Sequence, residues 1–180
     1  MCKTIPMNIQ RTSRTVLLSL VLALLSLMQT RAAVMQSGRA YAFSMPAEWR
    51  YASESVATLM QQRTGISLTI AHADSAMLKI VHDAALGSEA YTLQIADNDI
   101  VVRAASVKGV NWAMAQLAQL LTAAGGKPLS AATINGSPRF EHRGLMIDCS
   151  RHFRTIAELE SMIDAMNLLR LNVLHLHLTD

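Results

Sequence analysis

The feature that most constrains the fold is a strand–helix–strand pattern near the carboxyl end of the sequence. Two apolar runs, residues 144–148 and 173–178, flank a segment whose apolar positions recur at helical spacing. Thr155 with Glu158 three residues later predicts a capping box at the start of that helix. The pattern forms one βαβ unit, which implies a parallel strand pair with a right-handed crossover. Parallel sheets are nearly always covered on both faces, so residues 138–180 are not expected to be stable alone.

The preceding residues, 33–137, alternate between short strand and helix patterns. The hairpin is the clearest, because apolar and polar residues alternate in 91–95, Asp97-Asn98-Asp99 supplies a turn, and a strand resumes at 100–103. The remaining predicted elements are a helix at 53–63, strands at 66–70 and 77–81, and a longer helix at 107–124. We predict a small α+β domain that ends at the turn-rich junction before Pro138.

The first residues have the pattern of a secretory signal peptide. Basic residues precede an uncharged apolar run at 16–28, and Thr30-Arg31-Ala32 carries small residues at the positions a signal peptidase reads. The run is about 13 residues long, well short of the ~20 needed to span a bilayer. We therefore expect a signal peptide at 1–32, cleaved after Ala32, and a periplasmic or secreted bacterial protein without a stable membrane anchor. An uncleaved anchor or a buried helix is the alternative.

Cleavage changes the charge argument. The whole chain has 16 basic and 13 acidic residues, but Lys3, Arg11, Arg14 and Arg31 leave with the signal, so the remainder carries a net charge of about −1. No basic cluster remains, and a nucleic-acid partner is not expected. Cys149 is then the sole cysteine, so no disulfide can form within that part of the chain.

Two motifs carry a resemblance to a known family. Residues 137–153 read SPRFEHRGLMIDCSRHF and contain the pattern RGxxxDxxRHF, while residues 166–180 end in NVLHLHLTD. These segments resemble the opening of the catalytic domain of family 20 β-N-acetylhexosaminidases. Upstream, residues 89–95 and 109–121 resemble the small domain that precedes the barrel in these enzymes and in some other glycosidases, α-glucuronidases among them.

The resemblance implies the start of a (β/α)₈ TIM barrel at residues 138–180, with a substrate pocket at the carboxyl ends of its strands. Arg143 aligns with an arginine that binds hydroxyls of the terminal sugar, although a salt bridge with Glu141 or Asp148 is an alternative role. Asp180 aligns with an aspartate that orients a histidine, and a helix N-cap is its alternative. Asp148 ends the first barrel strand, where pocket residues are expected.

Four further residues near the strand ends have open roles. Arg151 and His152 follow the first strand and either support the substrate side of the pocket or tie structurally to Asp148. His177, with His175 two residues earlier, has a spacing that could ligate a metal, but no further ligand accompanies the pair and a packed or hydrogen-bonded histidine is the preferred interpretation. Neither a metal nor another cofactor is expected, and Cys149 is interpreted as a small buried hydrophobic residue.

The implied activity is removal of terminal β-linked N-acetylglucosamine or N-acetylgalactosamine from oligosaccharides or glycoconjugates, with retention of configuration and participation of the substrate's acetamide. The Asp-Glu pair that the family uses has no counterpart in these 180 residues and is expected downstream, so we expect this chain to be inactive alone. The alternatives are an exported non-catalytic carbohydrate-binding module and a barrel glycosidase of another specificity, such as an α-glucuronidase.

Overall fold

The computed structural model describes residues 35–179. The predicted signal peptide at 1–32 and the predicted pocket residue Asp180 therefore lie outside the described residues. The helices and strands follow in chain order: β1 (Ala40–Ser44), α1 (Ser53–Thr64), β2 (Ser67–Ile70), β3 (Leu78–His82), β4 (Tyr91–Ile95), β5 (Ile100–Ala104), α2 (Val107–Ala124), β6 (Ala132–Gly136), β7 (Gly144–Asp148), α3 (Ile156–Leu168) and β8 (Val173–His177).

Six of the strands form one mixed sheet in the order β2-β1-β3-β5-β4-β6. The predicted hairpin is confirmed as the antiparallel pair β4 and β5, and both predicted helices are present. The sequence patterns did not predict β1 or β6. Strand β1 lies between β2 and β3 and pairs with both in parallel, so the two strands predicted as successive are not neighbours. With the parallel pair β3 and β5, three of the five strand pairings in this sheet are parallel.

Helix α2 packs on this sheet and supplies much of the core. Val110, Met114 and Leu117 are completely buried, as the helical spacing predicts. Gly109 permits the close approach of the helix to the sheet, because a Cβ there would lie 2.5 Å from the carbonyl oxygen of Ala90. A glycine within this helix, which costs intrinsic helix stability, is thus explained by packing.

The remaining strands, β7 and β8, form a separate parallel pair joined by α3, as the βαβ pattern predicts. The capping box is confirmed, because Glu158 N–H donates to Thr155 Oγ1 and Thr155 N–H donates to Glu158 Oε2. The predicted core face of α3 is covered only in part. Met166 is buried, but Ile156 is 75% and Ile163 is 49% exposed, since little of the described structure packs against that side.

Among the helices of residues 35–179, none combines the length and the apolar character needed to cross a membrane.

Candidate functional site

The carboxyl ends of β7 and β8 bring together two of the predicted site residues. The parallel register pairs Asp148 with His177, and Asp148 Oδ1 lies 3.2 Å from His177 Nδ1. The backbone continues the pairing beyond the strand, because Cys149 N–H donates to the carbonyl of His177 at 2.9 Å. This carboxyl edge, defined here by Asp148, Arg151 and His177, is the end of the strands at which the sequence predicts a pocket.

The turn after β7 adds Arg151 to the carboxyl edge. The backbone N–H groups of Ser150 and Arg151 both donate to Asp148 Oδ1 at 3.1 Å, and Arg151 Nη1 lies 3.5 Å from Asp148 Oδ2. The Arg151 side chain is 73% exposed, whereas that of Asp148 is 23% exposed. The structure therefore shows the contact of Arg151 with Asp148, which is one of the two roles left open for this residue. The Arg151 side chain is at the same time accessible from solvent.

These hydrogen bonds favour the ionised form of Asp148. The backbone N–H of Arg151 is the main cause that holds the pKa of Asp148 below its ordinary value, and the hydrogen bond with His177 lowers the pKa further. A carboxyl group with a lowered pKa is ionised at neutral pH and accepts hydrogen bonds. Asp148 is thus suited to orient His177 and Arg151, and it is unsuited to donate a proton to a leaving group.

Three other residues that the sequence singled out lie near the carboxyl edge. His152 is exposed in the turn, and Cys149 is partly buried with a free thiol, where the sequence predicted a buried residue. His175 is exposed on β8 and pairs in register with Met146. Within residues 35–179, no group of three or more His, Cys, Asp or Glu side chains is arranged to hold a metal ion.

Arg143 lies at the opposite, amino-terminal end of β7, so the structure does not bring it together with Asp148 and His177. Its Nη2 pairs with Glu89 Oε2, and its Nε and Nη1 donate to the carbonyls of Arg170 at 2.7 Å and Phe140 at 2.6 Å. The predicted alternative salt bridge with Glu141 or Asp148 is wrong in its partner, because the carboxylate comes from the segment before β4. Binding of a sugar by Arg143 stays a prediction.

Glu89 is the centre of a buried polar network that sequence reasoning missed. Its carboxylate also accepts from Asn172 Nδ2 at 3.0 Å and from the indole N–H of Trp112 at 3.3 Å. Burial alone would raise the pKa of Glu89, but the hydrogen bonds from Asn172 and Arg143, with the charge of Arg143, lower it overall. Glu89 stands first in the stretch EAYTLQI that carries part of the resemblance, and that was its one signal in the sequence.

Comparison with known proteins assigns the family. The family model described as glycosyl hydrolase family 20, domain 2, matches residues 26–135, which is more than half of the chain. The chain belongs to glycosyl hydrolase family 20. The catalytic domain of family 20 matches residues 140–180, the segment that contains β7, α3 and β8. The expectation drawn from the two sequence motifs is thus confirmed at the level of the family.

Relatives in family 20 are glycosidases by name. A β-N-acetylhexosaminidase of Cellulomonas fimi is 37% identical over 105 residues, covering 57% of this chain and 21% of the relative. An N,N'-diacetylchitobiase of Vibrio harveyi is 33% identical over 93 residues, covering 52% of this chain and 10% of the relative. The chain thus spans about a fifth or less of the length of these family 20 relatives.

Solved family 20 structures share the fold. A mutant Streptomyces plicatus β-hexosaminidase, in complex with its product GlcNAc, superposes with a TM-score of 0.71 at 25% identity, covering 84% of this chain and 32% of that chain. A β-N-acetylhexosaminidase from Streptomyces coelicolor gives a TM-score of 0.68 at 26% identity, covering 82% of this chain and 32% of that chain. The similarity thus covers most of this chain and about a third of each of these larger chains.

Proposed function

We propose that the whole protein of which these residues form part is an exo-acting β-N-acetylhexosaminidase. Membership of family 20 and the names of the relatives support a glycoside hydrolase that acts on N-acetylhexosamine-containing glycans. The residues 138–180 would then begin a (β/α)₈ barrel, with 33–137 as the small domain before it. The exposed apolar side chains of β7, β8 and α3 support this proposal, because further barrel elements would cover them.

The observation that carries the proposal is the cluster of Asp148, Arg151 and His177 at the carboxyl edge. A charged carboxylate holds a histidine and an arginine at the end of the strands where barrel enzymes bind substrate. A guanidinium can donate to two neighbouring hydroxyl oxygens at once, which suits the vicinal hydroxyls of a sugar. We assign the sugar-facing role at this edge to Arg151, with Asp148 and His177 as its support and His152 beside them.

The remaining predicted residues take different places in the proposal. Sugar binding by Arg143 would require its guanidinium to leave Glu89, so we regard it as the weaker candidate. Asp180 follows β8 in sequence, and we retain its proposed role in orienting a histidine that lies beyond these residues. No metal or cofactor enters the proposed chemistry.

The proposed mechanism is retaining and assisted by the substrate. The acetamide oxygen attacks the anomeric carbon while the glycosidic bond breaks, and a glutamic acid donates its proton to the leaving oxygen. Water, deprotonated by the glutamate that gave up its proton, then attacks the anomeric carbon from the face that the leaving group departed. The bond to the acetamide oxygen breaks, and two inversions retain the configuration. The Asp-Glu pair that orients the acetamide and supplies this proton has no counterpart in the 180 residues. We therefore propose that the chain alone does not hydrolyse the substrate.

The product of the complete reading frame tests the proposed function. We expect it to hydrolyse chromogenic β-N-acetylglucosaminides and β-N-acetylgalactosaminides but not the matching glucuronide. A substrate with a trifluoroacetamide group should react more slowly, because its carbonyl oxygen is a poorer nucleophile. Preference for the glucuronide would reassign the specificity, and an unchanged rate with the trifluoroacetamide would argue against assistance by the substrate.

Export of the protein is a further part of the proposal. The basic start, the short apolar run and the small residues before position 33 support cleavage by a signal peptidase. The substrates would then be glycans met in the periplasm or outside the cell.

A further inference from the structure

The amino ends of β7 and β8 are joined to each other by two residues that directly precede the strands. Arg143 N–H donates to Asn172 Oδ1 at 2.9 Å, and Asn172 N–H donates to the carbonyl of Arg143 at 2.8 Å. This reciprocal pair closes the amino end of the two-stranded sheet. It also sets Gly144 opposite Val173, which is the first pair of the register.

Glu89 binds both members of this pair from outside the βαβ unit. One carboxylate oxygen pairs with the Arg143 guanidinium, and the other accepts from Asn172 Nδ2 at 3.0 Å. Trp112 of α2 holds the carboxylate from a third direction. The side chains of Glu89 and Arg143 are only 11% and 15% exposed, so a water molecule cannot readily replace either partner.

The register set at the amino end determines what meets at the carboxyl edge. The same register continues along the strands and places Asp148 opposite His177. Asp148 lies five residues beyond Arg143, a distance of about 16 Å at ~3.3 Å per residue. A slip of one residue would place Leu176 or Leu178 opposite Asp148 and would turn the side chains of one strand to the other face. The contact between Asp148 and His177 would then be lost.

Few buried apolar side chains contribute to this register in the described structure. Of the apolar side chains of β7 and β8, only Ile147 is buried, at 7% exposure, whereas Leu145, Met146 and Leu176 are 37%, 58% and 37% exposed. Apolar packing therefore discriminates weakly between the observed register and its neighbours. The polar network at the amino end is directional, and it is satisfied by one register alone.

We propose that Glu89 is a positioning residue for the carboxyl edge, acting through Arg143 and Asn172 on the register of β7 and β8. The small domain would thereby take part in building the substrate pocket from its opposite end. The inference rests on the proposed function only in naming the carboxyl edge a pocket, because the effect on the register can be measured without substrate.

The test compares Glu89→Gln with Glu141→Gln in the 180-residue chain. Both changes replace a carboxylate by an amide near Arg143, but the Glu141 side chain is exposed and only its carbonyl belongs to the network. Nuclear magnetic resonance would follow cross-strand contacts between Asp148 and His177 and the titration of the Asp148 carboxyl carbon. A double variant, Glu89→Gln with Arg143→Met, removes the buried unpaired cation that could unfold the single variant.

We expect Glu89→Gln, or the folded double variant, to lose the contacts between Asp148 and His177, and the pKa of Asp148 to rise toward its ordinary value. Glu141→Gln should leave both unchanged. An unaltered register and Asp148 titration in the folded variants would overturn the proposal. Unfolding of the double variant would overturn it as well, because the network would then be required for folding rather than for register. Neither result would bear on the hexosaminidase activity, which is tested by hydrolysis.

Discussion

At the residue scale, the ion pair whose loss would cost most is the largely buried pair of Glu89 and Arg143. Glu89 and Arg143 are both largely buried, and each has further hydrogen bonds that satisfy its remaining polar atoms. Removing one partner of such a pair costs far more than removing an exposed ion pair, because the other charge stays buried without compensation. The pair of Arg151 with Asp148, in which the arginine is 73% exposed, belongs to the weaker class.

Replacing Glu89 by Gln should lower the free energy of unfolding by about 3 kcal/mol at neutral pH. The folded-state pKa of Glu89 lies below its ordinary value of 4.5, so the stabilisation is complete above that value and is lost as the pH falls through the folded-state pKa. Urea unfolding of the original chain and the variant, between about pH 7 and pH 3, should therefore give curves that converge at the acid end. A stability difference that did not depend on pH would contradict this account.

Replacing Gly109 by Ala should destabilise the protein although alanine favours helices. The new Cβ would lie 2.5 Å from the carbonyl oxygen of Ala90 and 3.0 Å from the Cβ of Ala104, so α2 would have to move from the sheet. We expect a loss of about 1–3 kcal/mol in chemical unfolding. Gly87→Ala is the matched control, because its nearest contact would be an ordinary 3.8 Å. Equal effects of the two changes would show that the close approach is not the cause.

Residues at the ends of the two strands of the βαβ unit were the predictable part of the site. Asp148 and His177 could be placed at the same edge because parallel strands bring their carboxyl ends together. The partner of Arg143 could not be predicted in this way. Glu89 is 54 residues away in sequence, and its contact with Arg143 depends on how the six-stranded sheet packs beside β7. Alternation of apolar and polar residues within a strand gives no information on a contact between two sheets. The predicted partners of Arg143, Glu141 and Asp148, rested on proximity in sequence.

At the scale of elements, helix α3 shows how local signals and packing contribute separately. Its capping box is formed as the sequence predicts, and it needs no tertiary contact. Its apolar side is only partly covered, because burial depends on elements that the described residues do not supply. Strands β1 and β6 escaped prediction because burial does not alternate along them: the two buried residues of β1 are adjacent, and no residue of β6 is buried.

Replacing Thr155 by Ala should remove the cap of α3 and cost about 1 kcal/mol. Thr155 Oγ1 accepts from Glu158 N–H at 3.3 Å and forms one half of the capping box. Ser161→Ala within the same helix is the control, because alanine raises helix propensity there and should be neutral or slightly stabilising. Hydrogen exchange of the first turn of α3 would measure the difference, and equal protection in both variants would contradict the prediction.

At the scale of the whole molecule, the chain combines a nearly complete core with an incompletely covered βαβ unit. The six-stranded sheet buries its own apolar side chains with α1 and α2, whereas Met146, Ile156 and Leu178 remain more than half exposed. The relatives in family 20 are several times longer than the part that this chain matches. We therefore propose the activity for a protein of the relatives' length, in which the described residues would contribute one edge of the pocket.

The proposed export makes a prediction of its own. When the chain is expressed with its first residues in a bacterium that exports proteins, we expect the amino terminus of the recovered protein to be Ala33, because Ala32 ends the small-residue cleavage pattern. Sequencing of the amino terminus in the periplasmic fraction would measure this. Recovery of the chain with Met1 intact in the cytoplasm would contradict the proposal.

The most direct test of the account is hydrolysis of a chromogenic β-N-acetylglucosaminide by the 180-residue chain and by the product of the complete reading frame, assayed side by side. We expect turnover by the longer product and none by the chain, because the Asp-Glu pair has no counterpart in the 180 residues and the described carboxylate at the carboxyl edge, Asp148, is ionised. Turnover by the purified chain, or its absence from a folded longer product, would contradict the account.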